Sequence, residues 1–160
     1  MFQKFNTTQY PPKIKPLLVW DGKCGFCKYW VTRWRKISEG KIDFDTYQNA
    51  AQDFPDIPLK EFKKASRLIT TSGSVHGGPD SAYKSYEIAN PSSPWHGWYT
   101  KYAWFRRLSD WGYNYIAKNR STMFTITKAM LGSNPLRFRH YWTIYLFMFT
   151  LLLLVVLKFL

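Results

Sequence analysis

The first apolar run along the chain is Leu17-Leu18-Val19-Trp20, four residues with no polar position between them. A strand with one wet face alternates, so an unbroken short run predicts a strand buried on both sides. Asp21-Gly22-Lys23 interrupts it. From Cys24 onward Phe26, Cys27, Trp30, Val31, Trp34 and Ile37 recur at three- and four-residue spacing, which predicts a helix with one buried face. Lys28, Arg33, Arg35 and Lys36 fill its other side, and Gly40 is expected to end it. Residues 41–47 alternate with period two and predict a second strand; residues 49–54 predict a short helix before Pro55 and Pro58. Residues 66–71 and 74–76 flank Ser72-Gly73, a hairpin signal, and Pro79-Asp80-Ser81 opens a helix that runs to Ala89. Strand, helix, strand, short helix, hairpin and helix in that order require an α/β domain: a mixed sheet with helices on its faces.

Beyond this the pattern changes. Residues 95–115 carry nine aromatics, and residues 95–140 hold eight Lys or Arg against one acidic residue, Asp110. Trp95, Trp98, Tyr99, Tyr102 and Phe105 fit one helix face, residues 110–119 a second helix, and Met123, Phe124, Ile126, Ala129 and Met130 a third apolar segment closed by Gly132 and Pro135. Trp104, Phe105 and Trp111 are expected in the core, with residues 123–131 at a lipid headgroup layer. Residues 141–160 are apolar all round except for Lys158. A membrane span takes about 20 such residues, so this tail predicts one transmembrane helix. Arg137, Arg139 and His140 precede it, and no signal-peptide core precedes Pro11, Pro12 and Pro16. The expectation is a tail anchor in the cytoplasmic (inner) membrane, single-pass, with the N-terminal domain facing the cytoplasm.

Composition narrows the field. The chain has 160 residues, 19 % of them aromatic, and a net charge of +13. So many rings exclude a disordered chain, and two cysteines exclude a disulfide-stapled fold. Basic and aromatic residues together admit nucleic acid or anionic lipid as partner. With a span beside them, anionic membrane lipid is preferred and no nucleic acid is expected. The organisation is a loose lead-in over 1–16, the α/β domain over 17–120, a basic and aromatic juxtamembrane segment over 121–140, and the anchor over 141–160.

The chemistry lies in Cys24-Gly25-Phe26-Cys27, where the first strand hands over to the first helix. A helix N-terminus stabilises a thiolate, which makes Cys24 the nucleophile; Lys23 and Lys28 add positive potential. Cys27, one turn on, resolves a mixed disulfide. Half a zinc site and two inert buried cysteines are the rival readings. No second such pair exists, and His76, His96 and His140 lack ligand spacing, so no metal and no cofactor besides the redox-active pair is expected. Two roles are open to Asp21: capping the turn, which is preferred, or accepting a proton from Cys27.

Placing such a pair between first strand and first helix is the thioredoxin-like arrangement. Trp20-Asp21-Gly22-Lys23-Cys24-Gly25-Phe26-Cys27 resembles the signature of the DCC family of thiol-disulfide oxidoreductases, also described as domain of unknown function 393. Ser66-Arg67-Leu68-Ile69 with Gly73, then Gly78-x-Asp80-x-Ala82, is similar to its hairpin and final-helix entry. Asp110-x-x-Tyr113-x-x-Ile116-Ala117-x-Asn119-Arg120 is similar to its closing motif. Trp20 departs from the usual Tyr and Lys23 from a position often acidic. Compared with thioredoxins, Ala65-Ser66 stands where a cis-proline would meet substrate. The resemblance implies dithiol–disulfide exchange on a protein thiol or disulfide substrate, with Cys24 and Cys27 carrying it. The alternative is a non-catalytic accessory subunit docked on an integral membrane protein complex. Asn119 and Arg120 are expected to tie the last helix to the sheet or to lipid phosphate.

Overall fold

The computed structural model describes residues 2–138 and 141–159, and in the last helix the side chains of 143–151 and 153. Arg139 and His140 lie outside the described residues, as does the side chain of Lys158. The unbroken run forms β1 (Leu17–Trp20), and the three-four periodicity forms α1 (Gly25–Ile37) with Cys24 as N-cap. Then come β2 (Asp43–Thr46), α2 (Tyr47–Ala50), a 3-10 turn over Ala51–Asp53, α3 (Leu59–Lys64), β3 (Arg67–Ile69), β4 (Val75–Gly77) and α4 (Pro79–Ala89). The sheet order is β2-β1-β3-β4, with β1 parallel to β2 and antiparallel to β3, and β3 antiparallel to β4. This is a mixed α/β architecture. The two strands that lie inside the sheet are the two whose sequence is most continuously apolar.

Alternation in β1 divides the core. Val19 joins Ile69, Val75, Phe54, Ile57 and Phe62 on the face covered by α2 and α3. Leu18 and Trp20 join Val31, Ile42 and Leu68 on the face covered by α1 and α4. Burial on both faces accounts for the missing polar positions in the run. Inside this apolar packing sits one ion pair: Glu61 Oε2 lies 3.4 Å from Arg67 Nη2, and both side chains are essentially inaccessible.

Several expectations are corrected. α1 ends at Ile37, ahead of Gly40, because Glu39 itself takes a positive φ of 48°. α3 is an element that the sequence pattern does not predict. The first part of the lead-in, residues 2–8, is not loose: Phe2 is buried, Val75 N–H donates to Asn6 O, and Thr8 N–H donates to Gly73 O. Those bonds satisfy the outer edge of β4, which would otherwise be open to another chain. Gly78, at a φ of 63°, makes this possible, since a Cβ there would sit 2.5 Å from the Phe2 ring.

The rest is helical: α5 (Trp95–Lys101), α6 (Ala103–Lys118), α7 (Arg120–Leu131) and α8 (Tyr141–Phe159). Trp104 and Trp111 are not core residues; they expose 63 % and 67 % of their surface, because they lie on the side of α6 turned away from α4 and α5. Phe105 is half-buried against Tyr83, Trp95 and Trp98. Tyr102 breaks the aromatic run into two helices, so its five rings do not share one face. The transmembrane helix expected over 141–160 is not found among the described residues. α8 is helical, but among the described residues no helix is long and apolar enough to cross a membrane.

Candidate functional site

The turn between β1 and α1 holds both cysteines. Cys24 N–H donates to Asp21 O at 3.1 Å, which folds the chain back, and Lys28 N–H returns to Cys24 O at 2.9 Å to start the helix. The Cys24 side chain caps that helix: its Sγ accepts the Cys27 N–H at 3.1 Å. Both thiols are free and half-buried. Gly22 allows the turn to lie on β2, where a Cβ would meet Thr46 Cγ2 at 2.6 Å. Gly25 leaves room for the Phe124 ring, which comes within 3.1 Å of where its Cβ would be.

These contacts separate the two sulfurs chemically. Cys24 is lowered from 9.0 to about 6, chiefly because the Cys27 thiol hydrogen-bonds to it. Burial opposes that change, while the Cys27 N–H and the positive Arg120 assist it. Cys27 is pushed far up by the same hydrogen bond, by burial, and by the charge on Cys24. One sulfur is thus poised as anion and the other as its proton-bearing partner.

Asp21 is fully engaged elsewhere. Its Oδ1 accepts from Lys23 N–H and Gln48 Nε2, each at 3.1 Å, and its Oδ2 pairs with Arg120 Nη1 at 3.1 Å. The first bond is the turn cap preferred from the sequence; among the described contacts no hydrogen bond joins this carboxylate to a sulfur, although its negative charge pushes both thiols up. Arg120, at the start of α7, also donates Nη2 to Lys63 O at 3.1 Å and Lys64 O at 3.0 Å, the carbonyl end of α3. It therefore ties the helical extension to α3 and to the turn after β1 rather than to the strands expected, and its charge bears on both cysteines. With Lys63, Lys64 and Lys118 it lines an open hollow of about 400 Å³.

Ser66 occupies the position compared with the thioredoxin cis-proline, and no cis peptide is present among the described residues. Its N–H donates to Tyr113 Oη at 3.1 Å, and its Oγ lies 2.9 Å from Ser81 Oγ. Tyr113 and Arg120 are site residues that the cysteine motif does not point to. Both stand in the closing motif, Asp110 to Arg120, Tyr113 on α6 and Arg120 at the start of α7, and that motif is their signal in the sequence. Phe124, expected at the headgroup layer, instead packs its ring 6.2 Å from that of Tyr29 on α1.

A strand–turn–helix carrying two unequal thiols on a mixed sheet is the arrangement of a thiol-disulfide oxidoreductase. The DCC1-like thiol-disulfide oxidoreductase family matches residues 18–125, and the chain belongs to that family. No curated protein and no solved structure matches the chain.

Proposed function

We propose that this chain is a membrane-attached dithiol–disulfide oxidoreductase with a thioredoxin-like core, in which Cys24 attacks a protein disulfide and Cys27 resolves the adduct. The observation that carries this reading is the Cys24 sulfur, capping α1 beneath the Cys27 N–H and lowered to about 6. About nine-tenths of such a thiol is thiolate at neutral pH. The thiolate attacks one sulfur of the substrate, forming a mixed disulfide and releasing the other sulfur as thiolate. That step removes the charge that held the proton on Cys27. Cys27 then loses its proton to the departing thiolate and attacks Cys24 Sγ, which expels the second substrate sulfur. The substrate gains two electrons, and the Cys24–Cys27 pair loses them as a disulfide; a dithiol donor resets it. Asp21 serves the pair by holding the turn and Arg120. The cationic hollow beside Arg120 favours substrates with acidic groups near the disulfide.

Attachment is assigned to residues 141–160 as a single-pass anchor, with the preceding domain on the cytoplasmic side of the inner membrane. Supporting it are the apolar sequence, the exposure of Leu146, Phe147, Phe149 and Leu151 on α8, and the basic residues Arg137, Arg139 and His140. Extraction by alkaline carbonate would refute it; release by detergent alone is the expected behaviour.

One observation favours a second reading, the accessory subunit docked on an integral membrane complex. Tyr113 already occupies the Ser66 N–H, the backbone group that an extended substrate would use at this position. The deciding experiment is insulin-disulfide reduction by the full chain with a dithiol donor, against Cys24→Ser. Loss of turnover in the variant supports the enzyme, and a Cys27→Ser variant then traps the substrate as a mixed disulfide. Equal rates in both proteins would leave only the docking role.

A further inference from the structure

A second cluster of chemically capable side chains lies on the outer strand of the sheet, separated from β1 by β3. His76 projects from β4, Asp80 from the first turn of α4, and His96 from the first turn of α5. His76 Nδ1 is 2.9 Å from Asp80 Oδ2, and His96 Nε2 is 3.2 Å from Asp80 Oδ1. The three offer ligand atoms that all lie within 4.8 Å of one another. Ligands about 2.0–2.1 Å from a tetrahedral ion stand about 3.3–3.4 Å apart, and the Asp80 contacts to the two rings, 2.9 and 3.2 Å, come slightly inside that spacing.

The plain alternative is a histidine–aspartate–histidine hydrogen-bond network. Two observations count against it. Asp80 Oδ1 and His96 Nε2 are both buried and stand 3.2 Å apart, close enough to pair but without the alignment of a hydrogen bond. Two buried atoms so misaligned are costly unless a proton or a metal ion between them takes both lone pairs, and an ion does not need the straight line that a hydrogen bond does. The other observation is that His96 Nδ1 lies 3.0 Å from Glu87 Oε2. A carboxylate on one ring nitrogen fixes the tautomer and presents the opposite nitrogen as a ligand, the usual outer support of a metal-bound histidine.

We propose that His76, Asp80 and His96 bind one divalent transition-metal ion of the zinc class, with Glu87 orienting His96 and a fourth position left to water. Two imidazoles and a carboxylate suit a borderline ion better than calcium or magnesium, which prefer oxygen. The ion joins β4, α4 and α5, and so pins the start of the helical extension to the sheet.

The test uses cobalt(II) on the full chain in detergent, both as wild type and with Cys24 and Cys27 changed to serine. The cysteine-free chain is expected to take up one cobalt ion with tetrahedral visible absorption and no sulfur-to-cobalt charge-transfer band. Zinc should displace it and raise the thermal unfolding midpoint. His96→Gln should abolish binding, and Glu87→Gln should weaken it about 10–100-fold. Glu87 lies partly exposed, so its variant keeps the test open should His96→Gln fail to fold. Binding that disappears with the cysteines, or that survives both Glu87→Gln and His76→Gln unchanged, would overturn the proposal.

Discussion

Leu18 and Leu68 in the sheet are wholly buried, whereas Trp104 and Trp111 in α6 expose most of their surface. Both regions are apolar and periodic. In the sheet and its covering helices, each apolar face meets another face of the same chain. In α6 the stripe Trp104, Leu108, Trp111 and Tyr115 follows helical spacing equally well, yet no residue of that helix is buried. Periodicity therefore reports that a face is to be covered; it does not say that this chain covers it. The sheet commits its rings to internal packing and the extension keeps many of its rings outward, beside a helix as apolar as α8.

The contrast can be broken most sharply at the ion pair within the sheet core. Glu61→Gln leaves Arg67 charged and enclosed, and should cost about 3–5 kcal/mol of unfolding free energy in a urea titration. Glu61 is held below its ordinary range: burial opposes this, but Lys64, the Gln3 N–H and Arg67 outweigh it. A lowered carboxylate contributes its stability above its ordinary pKa and loses it as pH falls, so wild type and Glu61→Gln should converge in acid. Next, Leu68→Ala should cost about 2–5 kcal/mol, against less than about 0.5 kcal/mol for Trp111→Ala. Equal losses would mean that α6 belongs to the core after all.

A third comparison sets the two thiols against each other. Cys24 alkylation should rise with pH to a midpoint of about 6, and Cys27→Ala should move that midpoint up toward 9.0 because its largest cause is gone. At a pH below both midpoints, raising the midpoint by one pH unit lowers the thiolate fraction about tenfold. The sign for stability follows. The lowered Cys24 makes the reduced protein more stable as pH rises from about 6 to 9.0. The raised Cys27 takes stability away above that range. The smallest effect belongs to Arg120→Gln, which should raise the Cys24 midpoint by less than the Cys27 change does, since its charge ranks behind the Cys27 contacts. A larger rise than that of Cys27→Ala would place the control of the thiolate in α7 rather than in α1.

Much of the core is legible in the sequence because its signals are local. Four apolar residues in a row specify β1, the spacing from Phe26 to Ile37 specifies α1, and the Ser72-Gly73 turn places β3 and β4 in antiparallel register. The cysteines can be placed at the helix start for the same reason. α3 is illegible: six residues with apolar positions only at Leu59 and Phe62 show less than two turns of pattern. Arg67 reads as an ordinary strand residue because its partner, Glu61, lies on that unpredicted helix. Tyr113 reaches Ser66 and Arg120 reaches Asp21 across 47 and 99 residues, and neither separation leaves a periodic trace. His76, Asp80 and His96 are hidden for a related reason, since a ligand spacing exists only once α5 folds back on α4.

The segment that links α7 to α8 does not swing free of the cysteine helix. Tyr29 Oη donates to Gly132 O at 2.9 Å, Phe138 stacks on Tyr29, and the Arg33 guanidinium lies 3.7 Å from the Phe138 ring centre. In mechanical terms α1, like α7, which packs against α8, takes up force on the way from α8 into the domain. Tension applied at α8 reaches Tyr29, little more than one turn beyond Cys24, through Gly132 and Phe138. A pull on α8 therefore bears directly on the helix that carries both sulfurs.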